Sequence, residues 1–391
     1  MGSAQRDAVT AGAGTHALAP ASPLVIMLSA SPWSAAAHRQ HALAGELARS
    51  PRGRLRVLFV DPPTNGIRWR FEVAEIDDGL WHAVVPAALP FGRQSPVVNL
   101  VNRVVAARSL RAWLNGRPGT RVLWLDEDLA HPMVGRLGEA AVVYDATDLD
   151  WTFTRRWNRR NLRRSLRRAV VSADQVLVSS AALPGHLPPV TRPPIVVANG
   201  CDTDLFEPDG PVPRWMEAIP RPIVGYLGRI DVRAFDGELV ADVARRHPEW
   251  TFVLVGPSTK AGVAPMAGLA NVRIVDEVPF SMAPAIVRGC DVGIIPYRTG
   301  GLIDYVHPKK LYEYLAAGKP VVATGLPAVR SLDAPVHVAN GPDEFADAIS
   351  AALATVHSPQ HCDERRSAAM ANTWTARGDQ IRDVIRSVVP A

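Results

Sequence analysis

The stretch that most constrains this chain runs from Cys290 to Val322, CDVGIIPYRTGGLIDYVHPKKLYEYLAAGKPVV. Val292 to Pro296 is a short apolar run and reads as a buried strand that stops at the proline. A loop with Gly300 and Gly301 follows. Pro308 is placed to open a helix, because the first helical turn leaves its N–H groups unused and proline has none to lose. Leu311, Tyr314 and Leu315 give that helix an apolar stripe, Gly318 ends it, and Val321 to Ala323 begins a second strand. A strand–loop–helix–strand unit belongs to a parallel α/β sheet. The helix start is also a candidate for chemistry. Its free N–H groups attract an anion, and Lys309 and Lys310 add cations at an end where the dipole alone favours acids. That combination points to a bound anion such as phosphate. Glu313, three residues after Lys310, can approach the same pocket and suits sugar or ribose hydroxyls.

HPKKLYEYLAAGKPVV resembles the donor-binding motif of GT-B glycosyltransferases, in the form P-x-K-x-x-E-Y-(L/M)-A-x-G-K-P-V. The resemblance implies an α/β chain of two Rossmann-like domains facing each other across a cleft, with a C-terminal helix returning to the N-domain. It implies that Lys310 meets the donor diphosphate and Glu313 the ribose or sugar. Tyr297, Tyr305, His307 and Leu311 are further donor-contact candidates on the same resemblance. The competing reading is an ordinary βαβ unit with a basic surface helix.

A length of 391 residues suits about two domains, and 47% hydrophobic with 21% charged residues is a globular composition. No apolar run reaches membrane-spanning length. Residues 1–21 read as a disordered leader without the apolar core of a secretory signal. Cys201, Cys290 and Cys362 are too scattered for a metal site and too few for a disulfide framework, so a reducing cytoplasm is expected. The formal charge of +5 suits phosphorylated substrates, nucleic acid or an anionic membrane and does not choose among them.

Taken in order, Pro23–Leu28, a helix over 38–49 and Leu55–Val60 open a Rossmann-like domain without a G-x-G-x-x-G fingerprint. In GT-B proteins the first loop faces the cleft. Trp33 followed by His38-Arg39 resembles a subset of that fold, which makes Trp33 and Arg39 acceptor-side candidates and His38 a catalytic one; a helix start with solvated polar residues is the alternative. Strands are expected near Leu80–Val85 and Val122–Leu125. A helix is expected over Val98–Leu114, with Leu100, Val101, Val104, Val105 and Leu110 as its apolar side.

Ala141–Tyr144 reads as a buried strand, followed by Asp145, Asp148 and Asp150, where open α/β sheets place ligands. The run resembles the Y-D-x-x-D segment of GT-B enzymes related to the xanthan-assembly glucuronosyltransferase. That resemblance makes Asp148 the first candidate for the base that takes a proton from the acceptor hydroxyl, and Asp145 the second. Helix or turn capping is the alternative for both. Arg155–Arg168 holds four arginine pairs spaced four apart, interrupted by Trp157, Leu162 and Leu166. Such a helix suits an anionic lipid surface, a phosphorylated acceptor, or plain solvent.

Strands at Ala173–Ser180 and Ile195–Ala198 lead to Asn199-Gly200-Cys201-Asp202, which resembles the turn before the GT-B linker. Pro208–Pro222 reads as that linker. The second domain opens with Ile223–Leu227 and Gly228-Arg229, where glycine permits close approach and arginine holds phosphate. Glu277-Val278 resembles the loop whose backbone reads the donor base. The lysine of the commoner G-R-x-x-x-x-K-G form is missing. Thr373-Trp374 through Arg377 resembles the tail that crosses back.

The expected organisation is a leader (1–21), an acceptor-binding domain (22–207), a nucleotide-sugar-binding domain (208–370) and a returning helix (371–391). The expected function is transfer of a sugar from a nucleotide-diphosphate sugar to a small-molecule or lipid-linked acceptor, without metal, cofactor or nucleic acid and with peripheral membrane contact through Arg155–Arg168. The alternatives are a nucleotide-sugar epimerase on the same fold and an inactive nucleotide-sugar-binding protein. Retention and inversion both stay open, as do the donor base and sugar.

Overall fold

The computed structural model describes residues 22–33, 38–49, 52–64, 66–147, 156–300 and 303–389. The expected leader, Asp148, Asp150 and Arg155 lie outside them.

Two sheets organise the chain. The first has eight strands: β1 (Leu24–Leu28), β2 (Arg56–Val60), β3 (Glu72–Asp77), β4 (Leu80–Val84), β5 (Arg121–Leu125), β6 (Ala141–Ala146), β7 (Gln175–Val178) and β8 (Ile195–Val196). Their order is β3-β4-β2-β1-β5-β6-β7-β8, parallel throughout except for the antiparallel β3. The apolar runs read as buried strands are buried, as in LVIML of β1, because helices cover both faces. β3 was not foreseen; its sequence EVAEID is half charged and mostly exposed, as an edge strand can be.

The second sheet has six parallel strands: β9 (Ile223–Leu227), β10 (Thr251–Val255), β11 (Val272–Val275), β12 (Val292–Ile295), β13 (Val321–Thr324) and β14 (Val336–Ala339). Their order, β11-β10-β9-β12-β13-β14, reverses between β9 and β12, which puts a ligand crevice at the carboxyl ends of those two strands. The first sheet reverses in the same way between β1 and β5.

Two helical layers sandwich the first sheet. On one face lie α1 (Arg39–Arg49) and the last helix, α9 (Trp374–Val388); Leu43 and Leu47 pack with Trp374, Ile381 and Ile385. The chain end does return to the first domain. On the other face lie α2 (Pro96–Leu114) and α3 (Arg156–Ser172), which share a core through Leu110, Leu114, Leu166 and Val170. α4 (Gly237–Arg246), α5 (Ala283–Gly289), α6 (Lys310–Ala316), α7 (Gly341–Ala354) and α8 (Pro359–Met370) belong to the second domain.

The two chain crossings between the domains run side by side. Cys201 N–H donates to Asn372 O (3.1 Å), and Trp374 N–H donates to Cys201 O (3.1 Å). Gly200 is required there, because a Cβ would lie 2.8 Å from the Thr373 backbone.

α2 overturns an expectation. Leu110 is buried, but Leu100 and Val101 of the supposed apolar side face solvent, while Asn99, Asn102 and Arg103 are buried. Each of these three side chains has a partner: Asn99 Nδ2 donates to Leu129 O (2.8 Å), Asn102 brackets the Leu89 backbone, and Arg103 pairs with Glu127. These long-range hydrogen bonds set the helix rotation against its hydrophobic pattern.

Candidate active site in the cleft

The second-domain wall is built around the end of β9. Gly228 has φ +148°, a conformation closed to side chains, and a Cβ there would collide with Lys310 Nζ. α6 thus delivers Lys310 directly onto the Gly228-Arg229 turn. The ammonium lies over the Tyr226 ring (4.0 Å to the centroid) and near the Tyr297 ring (5.1 Å). Tyr226 Oη donates to Arg229 O (2.9 Å) and fixes the turn. Tyr314, read from sequence only as stripe, locks α6 to the strand end: its hydroxyl accepts from Leu227 N–H (3.0 Å). Arg229 is exposed at this turn.

The helix begins at Lys310, so Pro308 precedes it rather than opening it, and it is only seven residues long. Glu313 is buried and paired with Lys309 (3.0 Å), whose ammonium also lies over the Phe280 ring. Glu277 and Val278 lie in the loop after β11, with Glu277 exposed.

Two donor candidates are core residues. Leu311 is fully buried among Leu315, Val321 and Ala323. Tyr305 is fully buried against the first-domain core, 5.6 Å from the His186 ring, and so couples the domains instead of facing a ligand.

The first-domain wall surrounds a cavity of about 260 Å³ lined by His38, Arg39, Asp126, Asp145, Thr147, Ser179 and, from the other domain, His307. Most of its charge is internally matched. Arg39 grips Asp145 with two bonds (3.0 and 3.1 Å), and its Nη1 donates to Ala198 O (3.0 Å) and Asn199 Oδ1 (3.2 Å). Both Asp145 oxygens are thus occupied, and most of the Arg39 fork is committed within the protein, which suits a structural clamp better than a base or an acceptor contact. Glu127 pairs with Arg103 and Arg93, and Asp128 accepts from Tyr144 Oη (2.6 Å).

Asp126 differs. It follows β5 at the strand-order reversal, and its carboxylate accepts from Ala30 N–H (3.0 Å) at the end of β1. Burial first, and then the Asp145 charge, push its carboxyl well above the ordinary range. Sequence reading missed it. The available signal was three consecutive acids, Asp126-Glu127-Asp128, directly after an apolar strand.

His307 is buried with no hydrogen-bond partner on either ring nitrogen. Burial, then Arg377 and Arg39, push its pKa down to about 3, so the ring is neutral. Its backbone carbonyl accepts from Asn199 Nδ2 (2.8 Å), which ties the second-domain loop to the first crossing. His38 sits at the cavity mouth with its pKa lowered by desolvation and by Lys309. Trp33 is not brought to this cavity. Its ring packs edge-on against Phe59 and His41, and it borders a separate cavity of about 420 Å³ beside the crossings. No cluster of three or more potential metal ligands occurs among the described residues.

Two Rossmann-like domains, a shared cleft and a returning C-terminal helix are the GT-B fold. The comparisons agree. Residues 221–355 match the family model described as glycosyl transferases group 1. Over 197 residues the chain is 29% identical to TuaH of Bacillus subtilis (strain 168), a glycosyltransferase named for teichuronic acid biosynthesis. That match covers 47% of this chain and 49% of the relative, so the chain spans about half the length of the curated relative it matches. Sucrose-phosphate synthase from Thermosynechococcus elongatus superposes with TM-score 0.72 at 16% identity, covering 94% of this chain and 99% of that one. An E. coli trehalose-6-phosphate structure bound with UDP-2-fluoro glucose gives 0.69 at 12% (94% and 100% covered). Anabaena HepE in complex with UDP and glucose gives 0.64 at 13% (93% and 99% covered). In fold the chain is a GT-B protein, and its second domain is similar to group 1 glycosyl transferase domains.

Proposed function

We propose that the chain transfers a sugar from a nucleotide-diphosphate sugar to a hydroxyl-bearing acceptor held against the first-domain wall. The observation that carries this reading is the Lys310 ammonium seated on the Gly228-Arg229 turn at the strand-order reversal of the second sheet. Two cations at a turn without a side chain at 228 form a cradle for a diphosphate, and positive charge there stabilises the departing group without a metal or cofactor. Glu313 accepts from ribose or sugar hydroxyls once its partner Lys309 shifts toward the phosphates. A uridine donor is the first to try, because two GT-B neighbours hold UDP or a UDP-sugar analogue.

On the acceptor side, Asp126 is the carboxyl we assign as proton acceptor among the described residues. Asp148 lies outside them and is the competing base. The relatives favour neither the epimerase nor the inactive-binding reading.

The direct test is calorimetry with UDP on the wild type and Lys310→Ala. Wild-type binding that drops at least about tenfold in the variant is expected for a lost charged contact. Undiminished binding would remove Lys310 from the diphosphate and, with it, this reading of the cradle.

A further inference from the structure

We propose that the outward face of α2, together with the two loops beside it, docks on an anionic lipid bilayer. The reversed polarity of α2 is the starting point. Val97 is 70% exposed, and Leu100 and Val101 lie beside it on the same solvent-facing side. The neighbouring loops extend the apolar surface. Asn102 binds both the N–H and the carbonyl of Leu89, which holds the loop carrying Leu89 and Phe91 against the helix. An isolated bridge between Arg68 and Ala87 then brings Trp69, 73% exposed, alongside that loop. Contiguous exposed apolar surface of this kind marks a docking face.

Charge identifies the occupant. The outward stripe of α2 continues into exposed Arg108 and Arg111. α3 lies in the same layer and exposes Arg160, Arg164, Arg167 and Arg168. The two helices carry three and seven arginines and not one acid. Aromatic and aliphatic side chains rimmed by exposed arginines match the boundary of an anionic membrane, where apolar groups enter the acyl region and cations meet headgroups. Among the described residues no helix is long and apolar enough to cross a bilayer, so the contact is peripheral. The face also borders the cleft. Arg93, in the Phe91 loop, pairs with Glu127 of the cavity wall, so docking would bring that wall close to a lipid-borne acceptor.

The test is co-sedimentation of the full chain with phosphatidylcholine vesicles, with and without phosphatidylglycerol. The chain is expected to pellet with the anionic vesicles only. A Trp69→Ser, Val97→Ser, Leu100→Ser variant should lose about tenfold or more in affinity. Arg164→Gln and Arg167→Gln should each lose about fivefold, an effect that shrinks with added salt. All five residues are exposed, so the circular dichroism spectrum and Tm should not move. The proposal is overturned if wild type stays in the supernatant with anionic vesicles at low salt. It is equally overturned if the serine variant binds as tightly as wild type, because the arginines alone would then account for the binding. Neither result involves sugar transfer, so the proposed reaction stands or falls separately.

Discussion

On the second-domain wall of the cleft, Lys310 rests on aromatic faces and Arg229 on solvent, and no described carboxylate pairs with either. On the first-domain wall, Arg39, Arg93 and Arg103 each hold a carboxylate. One wall presents cations that await an anion. The other has settled its charges internally and leaves Asp126 and the neutral His307 facing the cavity. A diphosphate belongs to the first kind of wall and an uncharged hydroxyl to the second, because a charge is stabilised only where the opposite charge is not already matched.

The sharpest way to break this contrast is Asp126→Asn. Loss of a general base lowers kcat/KM by about 10²–10⁴-fold, while UDP binding stays unchanged. In the wild type, a base with a raised pKa places the acid limb of the pH–rate profile above the ordinary carboxylate range, and activity rises with pH through it. Full activity in Asp126→Asn together with loss in Asp148→Asn would move the base to the residue suggested by the sequence.

Arg39→Ala tests whether the first-domain wall is locked. It strips both Asp145 oxygens, the Ala198 carbonyl and the Asn199 side-chain oxygen of a donor, and breaking a buried pair in this way costs about 3–5 kcal/mol. A chemical-denaturation shift under 1 kcal/mol, on the order of a surface pair, would mean that the clamp is idle.

Gly228→Ala acts on the opposite wall. A side chain at φ +148° costs about 1–3 kcal/mol, and it also pushes Lys310 off the turn. UDP affinity should therefore fall together with Tm, whereas Arg39→Ala should leave UDP affinity alone.

The smallest effect at neutral pH is His307→Asn, which sharpens the acid end. A histidine held near pKa 3 in the fold and near 6.5 when unfolded leaves the unfolded chain binding the extra proton between those values. Stability is therefore fully present above pH 6.5 and falls by roughly 1.4 kcal/mol per pH unit below it. The variant should flatten the slope of unfolding free energy between about pH 6 and pH 4. An unchanged slope would show that His307 is not the group responsible.

The part of the second-domain wall that could be read from sequence is its contiguous segment. Lys310, Tyr314 and Gly318 sit within nine positions, and turn, helix and strand signals place them before any tertiary contact forms. The first-domain wall draws on residue 30 after β1, residue 126 after β5 and residue 307 from the other domain. Only strand order makes them neighbours. Nothing local announces that Asp126 enters this cavity or that Arg39, 106 positions away, occupies both oxygens of Asp145. Tyr305 shows the same limit, since its place in the first-domain core depends on how the domains meet.

By itself the sequence determined two α/β domains and their apolar strands, because hydrophobic period and turn chemistry act over short spans, while the returning helix and the candidate Gly228, Lys310 and Glu313 frame are what the resemblance to GT-B motifs implies. Tertiary structure alone decided which face of α2 turns inward. Three buried polar side chains on that helix find partners only in the folded chain, and leaving such groups unpaired costs more than exposing a leucine and two valines.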